Sequence, residues 1–122
     1  HDAVEVLNQM IPDESLDRVQ IYFPDPWHKT KHRKRRLIQE NFVLLLRKKL
    51  KTGGLFHAAT DWDNYAMNIL KVLEAVEGFE NEAKEQSYIP RPDWRPLTKF
   101  EKRGEKLGHG VWDILFKKIA DR

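Results

Sequence analysis

The sequence predicts an α/β fold built as a doubly wound sheet, and three observations lead there. Apolar residues at helical spacing alternate with short β-branched and aromatic runs along the chain. That alternation implies parallel strands joined by helical crossovers. The last two strand-like runs have little helix between them, so a closing antiparallel hairpin is expected at a sheet edge. The order starts on a helix with no strand before it. The sheet is therefore expected to be incomplete and mostly parallel, without the first βαβ half where such folds keep a glycine-rich turn.

The elements follow from local pattern. Ala3 to Ile11 carries Val4, Leu7 and Ile11 at helical spacing and stops before Pro12, and Pro12 to Ser15 is a polar turn. Val19 to Phe23 is β-branched and aromatic, ends at Pro24, and reads as a short buried strand. Pro24 to Lys34 reads as a loop rich in proline, tryptophan and basic residues. Arg35 to Lys51 places Leu37, Ile38, Phe42, Leu45, Leu46 and Leu50 on one helical face, and Thr52-Gly53-Gly54 is expected to terminate that helix. Leu55 to Thr60 reads as a buried strand, Trp62 to Val76 as a helix closed by Gly78, and Phe79 to Lys84 as a weak strand. Gln86 to Leu97 holds Pro90, Pro92 and Pro96 and reads as a long extended loop. Thr98 with Glu101 three residues later has capping-box spacing for a short helix ended by Gly108 and Gly110. Val111 to Ile119 is the last strand, with Asp113, Leu115 and Lys117 on one face and Trp112, Ile114 and Phe116 on the other.

Composition narrows the function classes. The 122 residues hold 22 Lys+Arg against 19 Asp+Glu, a net charge of +3, so a nucleic-acid reading must rest on where the basic residues cluster. No cysteine is present, which excludes a disulfide scaffold, a cysteine nucleophile and thiolate metal sites. No stretch approaches the roughly 18 to 20 apolar residues of a membrane span. The chain opens His1-Asp2-Ala3, without initiator methionine or leader, and is read as a soluble intracellular chain, part of a longer one. The histidines at 1, 28, 32, 57 and 109 lack ligand spacing with carboxylates, so no metal is assigned, and His57 reads as a packed strand residue.

Ligands of open α/β sheets sit beyond the carboxyl ends of the strands. Two strands here end in acidic and aromatic residues, at Asp25-Pro26-Trp27 and at Asp61-Trp62. Proline on both sides stiffens the backbone around Asp25, which suits a carboxylate held at the mouth of a site. Trp27 either offers a flat face for base stacking or covers the core. The segment His28 to Arg36 holds six Lys/Arg and two His in nine residues, and its place beside that strand end favours phosphate contacts over a merely solvated surface.

Phe23-Pro24-Asp25-Pro26-Trp27-His28-Lys29, Lys34-Arg35-Arg36, Ala59-Thr60-Asp61-Trp62, Arg91-Pro92, Arg95-Pro96, Thr98-Lys99-Phe100-Glu101 and Leu107 to Asp113 together resemble the bacterial tRNA (guanine-N7-)-methyltransferase family. The resemblance runs from His1 almost to Ile119. It implies a class I S-adenosylmethionine-dependent methyltransferase fold of Rossmann-like type, with residues 1–122 as the carboxyl-terminal part of one domain. It implies methylation of guanine N7 in the tRNA variable loop, with S-adenosylmethionine as methyl donor, tRNA as partner and a cytoplasmic location. By position, Asp2 and Asp25 resemble cofactor contacts, with Asp25 assigned to the active site. Lys29, Asp61, Thr98, Lys99, Phe100 and Glu101 resemble substrate contacts. The family's amino-terminal half has no counterpart here, so the chain alone is expected to be inactive. The strand at Val19 to Phe23 would lack its family neighbour, and its open edge invites self-association. Guanine N7 needs no deprotonation before it attacks a methyl sulfonium. Asp25 can therefore stabilise the cationic product or orient the guanine through its N–H groups, and both roles stay open. A non-catalytic basic RNA-binding module and a DNA adenine-N6 methyltransferase are the other two readings. The latter's Asn/Asp-Pro-Pro-aromatic pattern is not matched by Pro24-Asp25-Pro26-Trp27.

Overall fold

The computed structural model describes residues 3–27, 29–85, 87–99, 101–102 and 110–120. The elements in order are α1 (Ala3–Met10), β1 (Leu16–Tyr22), a 3-10 turn (Thr30–Arg35), α2 (Glu40–Lys49), β2 (Leu50–Thr60), α3 (Asp63–Ala75), β3 (Phe79–Asn81) and β4 (Trp112–Lys118). The strands form one sheet in the order β1-β2-β4-β3. β1 runs parallel to β2, with Tyr22 opposite Ala59. β4 lies antiparallel between β2 and β3, with Thr60 opposite Trp112 and Phe79 opposite Lys118. The α/β class and the antiparallel closing pair match the expectation. The described sheet, however, is mixed and not mostly parallel, because β4 inserts between β2 and β3 and makes two of the three strand pairs antiparallel.

Alternation along the strands separates two faces. Phe56 and Ala58 of β2 and Ile114 and Phe116 of β4 join Phe42, Val43 and Leu46 of α2 and Tyr65, Ala66, Ile69 and Leu73 of α3 in one apolar core. Val19 and Ile21 of β1 pack against it from the edge. The opposite face carries Tyr22, His57 and Asp113, which meet side chains of the segment at 94–101. β1 is not the buried strand expected: none of its residues is fully buried, because among the described residues it pairs on one side only.

Two further boundaries depart from the pattern. α2 begins at Glu40 instead of Arg35, because Arg36 and Ile38 are held by distant partners. The Arg36 guanidinium donates to the Pro26 carbonyl and lies 4.6 Å from the Tyr65 ring centre, and Ile38 N–H donates to Tyr65 Oη at 3.2 Å. The basic run itself opposes a regular helix through like-charge repulsion. At its other end α2 passes directly into β2 at Leu50. The polar turn before β1 caps it, with Glu14 N–H donating to Lys48 O at 3.0 Å and Ser15 N–H to Lys49 O at 2.9 Å. Gly53-Gly54 is consequently no helix terminus. It lies inside β2 at a register shift, where the partner of Leu16 is Leu50 but that of Arg18 is Leu55. Gly53 takes φ +89°, and a Cβ on Gly54 would stand 2.8 Å from Lys51 O.

Candidate active site

The parallel pairing of β1 and β2 puts their carboxyl ends side by side, and the two acidic loops follow there. Phe23 N–H still donates to Ala59 O at 2.7 Å, so the chain leaves the sheet only at Pro24. Phe23 and Trp27 then adopt φ of +54° and +42°. Left-handed backbone is rare for aromatic residues and costs of order 1–3 kcal/mol each, and such strain concentrates at ligand sites. Between them Asp25 is exposed, and its Oδ1 accepts Trp27 N–H at 2.9 Å. That bond and the two prolines fix the carboxylate just past the strand end. Asp61, half-buried, is the first residue after β2, where Trp62 N–H donates to Thr60 Oγ1 at 3.2 Å.

The basic run follows the Asp25 loop as a 3-10 turn. Lys29, Lys31, Arg33, Lys34 and Arg35 are exposed, and Arg36 is buried. Burial, with Arg33 nearby, lowers the Arg36 pKa from its usual value. The turn is tethered to the acidic loop through Arg36 and Pro26, and through Trp27, whose ring meets His32 edge-on at 5.9 Å and Arg35 at 5.3 Å. Trp27 is half-buried and lies outside the apolar core, so it does not serve as core cover.

Thr98 to Glu101 forms the expected capping box. Thr98 Oγ1 accepts Glu101 N–H at 3.0 Å, and Thr98 N–H points back to Glu101 Oε1 at 3.3 Å. Lys99 is exposed and Thr98 half-buried, whereas Glu101 is turned inward onto Arg95. Asp25 and Asp61 thus follow the carboxyl ends of the parallel pair, Lys29 precedes the 3-10 turn beyond Asp25, and Thr98 is linked through Glu101 and Arg95 to Asp113, which lies opposite Ala59 near the end of β2. Asp2 and Phe100, the other two expected site residues, lie outside the described residues, as do His28 and residues 103–109. Among the described residues no group of three His, Cys, Asp or Glu could hold a metal, and no helix is long and apolar enough to cross a membrane.

Sequence reasoning passed over the ionic cluster behind this strip. Arg95 pairs with Asp113 and Glu101, and Asp113 with His57. One signal for it was available: Asp113 is a carboxylate in a strand that continues Ile114-Leu115-Phe116, a position that needs a buried partner. Burial disfavours the charged Asp113, but hydrogen bonds from His57 and Arg95 outweigh that and hold its pKa below the usual carboxylate range. The Arg95 hydrogen bonds likewise lower Glu101 against its own burial.

Comparison with known proteins bears on what this arrangement serves. A family model described as "Putative methyltransferase" (Methyltransf_4) matches residues 1–114. The tRNA (guanine-N(7)-)-methyltransferase of Shewanella amazonensis is 62% identical over 119 residues, 98% of this chain and 50% of that protein. Its namesake from Aeromonas hydrophila is 60% identical over 119 residues, with the same coverage of 98% and 50%. The chain spans about half the length of the curated relatives it matches. Among solved structures, a SAM-dependent O-methyltransferase from Thermotoga maritima superposes with TM-score 0.50 at 20% identity, covering 96% of this chain and 38% of that one. A SAM-dependent methyltransferase from Archaeoglobus fulgidus gives 0.51 at 17%, covering 97% and 66%. At these identities the likeness is one of fold.

Proposed function

Because the chain belongs to the Methyltransf_4 family, we propose that it is the carboxyl-terminal part of a cytoplasmic, S-adenosylmethionine-dependent enzyme that methylates guanine N7 in the variable loop of tRNA. The observation that carries the reading is 62% identity over 98% of the chain to a protein of that name. The site residues are compatible with it. S-adenosylmethionine supplies an electrophilic methyl on a sulfonium, and an exposed carboxylate held past a parallel strand end is a fitting neighbour for that charge. Asp25 fills this role, with Asp2 as the second cofactor contact inferred from the resemblance. With the cofactor bound, guanine N7 would take the methyl group with its own lone pair and S-adenosylhomocysteine would leave, so no residue of this chain has to remove a proton. The protein's task is alignment and electrostatics, with Asp25 beside the purine that becomes cationic. Lys29, Lys31, Arg33, Lys34 and Arg35 hold tRNA phosphates, and Asp61, Thr98 and Lys99 contact the substrate nearer the reacting base.

The test is incubation of the full-length protein with the cofactor and unmodified tRNA, followed by mass spectrometry of the nucleosides. The expected product is 7-methylguanosine at one position of the variable loop. A methyl group on adenine N6 of DNA, or tRNA binding with no transfer at all, overturns the reading.

A further inference from the structure

Arg36 is 3% exposed, yet among the described residues it meets no carboxylate. A buried charge without an ionic partner is costly, and an apolar side chain of similar length would avoid that cost. What arginine adds here is a donor and a flat cation. Its Nε donates to the Pro26 carbonyl, and its guanidinium carbon lies 4.6 Å from the centre of the Tyr65 ring. Tyr65, fully buried in α3, takes the Ile38 N–H on its hydroxyl at 3.2 Å. Burial raises the Tyr65 pKa, and smaller effects of Arg36 and Asp25, opposite in sign, mark both charges as its neighbours. Behind Arg36, Gln39 Nε2 donates to the carbonyls of Lys34 and Arg36. One buried guanidinium thus joins the Asp25 loop to α3 and to the end of the basic turn.

The junction sits where the backbone is strained. Phe23 and Trp27 hold φ of +54° and +42°, and such conformations persist only where the surroundings over-determine them. The bond from Trp27 N–H to Asp25 Oδ1 is internal to the loop, whereas the Arg36 bond ties the loop to another element. Pro26 has no N–H, so its carbonyl is the backbone group by which that residue can be held. Lys29, Lys31, Arg33, Lys34 and Arg35 of the same run are exposed, and Arg36 alone among these cations is turned inward. We propose that Arg36 is a positioning residue, which anchors the Asp25 loop in its left-handed form onto Tyr65 of α3 and takes no phosphate itself. The anchor rests on the structure, and the reaction it serves rests on the tRNA methyltransferase reading.

The experiment compares Arg36→Met, Arg36→Lys, Asp25→Ala and the Arg36→Met/Asp25→Ala double variant in the full-length protein, each below its unfolding midpoint. Hydrogen exchange, read by mass spectrometry on peptides covering 23–35 and 112–118, reports the anchor without any substrate. Arg36→Met is expected to exchange about tenfold faster in the first peptide, the scale of one lost hydrogen bond, and at the wild-type rate in the second. Its kcat should fall by about ten- to a hundredfold through misplacement of Asp25. The slope of log tRNA affinity against log salt should keep its wild-type value, since no phosphate contact is lost. Arg36→Lys keeps the charge but not the flat stacking surface, and should fall between wild type and Arg36→Met in exchange and in kcat. The double variant should be no slower than Asp25→Ala alone. Wild-type exchange over 23–35 in Arg36→Met, a salt slope reduced by about one, or a double loss equal to the product of the two single losses overturns the proposal. If Arg36→Met does not fold, Arg36→Lys takes its place in every comparison. A wild-type protein without N7 activity overturns the tRNA reading, and the exchange comparison then decides the anchor by itself.

Discussion

Replacing Arg95 by methionine isolates the electrostatic part of the cluster, because the unbranched side chain fills most of the space of the arginine stem. What disappears is the cation shared by two carboxylates that are only 7% and 2% exposed, at Glu101 and Asp113. Breaking a buried pair by removing one partner costs about 3–5 kcal/mol, since it leaves uncompensated charge. That is a large part of a domain's usual stability of about 5–15 kcal/mol. The cost carries a pH signature. Both carboxyl groups have folded-state pKa values held down, Glu101 first by its Arg95 hydrogen bonds and Asp113 by bonds from His57 and Arg95 that outweigh burial. Their stabilisation is fully present above the unfolded values of about 4.3 and 3.9, and it is lost as pH falls through the depressed folded values. Without Arg95 the buried acids protonate more readily, so the penalty is greatest at pH 7 and shrinks as pH falls towards about 4. Urea unfolding of the full-length protein, followed by far-UV circular dichroism at several pH values, measures this. A penalty below about 1 kcal/mol, the scale of an exposed pair, or one of constant size across the pH series, refutes the reasoning.

Three further outcomes are expected. Asp25→Ala should lower kcat on the order of a hundredfold, the scale of losing one preorganised electrostatic group, with tRNA affinity by filter binding nearly unchanged; near wild-type turnover would remove Asp25 from the chemistry. Neutralising the exposed Lys31, Arg33 and Lys34 to Gln should weaken tRNA binding and reduce the slope of log affinity against log salt by about 2 to 3, at roughly 0.7–0.9 for each phosphate no longer neutralised. An unchanged slope would make the run a solvated surface. Residues 1–122 produced alone should bind S-adenosylmethionine weakly at most, leave tRNA unmethylated and self-associate through the open edge of β1; calorimetric titration beside sedimentation checks this, and tight binding by a monomer contradicts it.

What could be read from the residues was local. The ends of α3, the two faces of β4 and the reciprocal Thr98–Glu101 cap depend on periodicities and side chain-to-backbone bonds spanning a few residues, which the chain carries wherever it folds. The proline-flanked Asp25 loop was legible for the same reason, although not that Phe23 and Trp27 would bracket it with left-handed backbone. Tertiary structure decided whatever needed a distant partner. Arg35 to Ile38 matched the helical face of α2, but Pro26 and Tyr65, ten and twenty-seven residues away, hold Arg36 and Ile38 outside it. Gly53-Gly54 had the composition of a helix end, and only the pairing with β1 places it inside a strand, at a shift of register. Glu101 offered a free carboxylate in sequence and is occupied in the fold, since Arg95 reaches it and Asp113 together. Asp113 is in turn brought to His57, fifty-six residues away, by the antiparallel register of β2 and β4. A sequence specifies which hydrogen bonds its neighbouring residues can make, whereas strand register selects which buried charges meet.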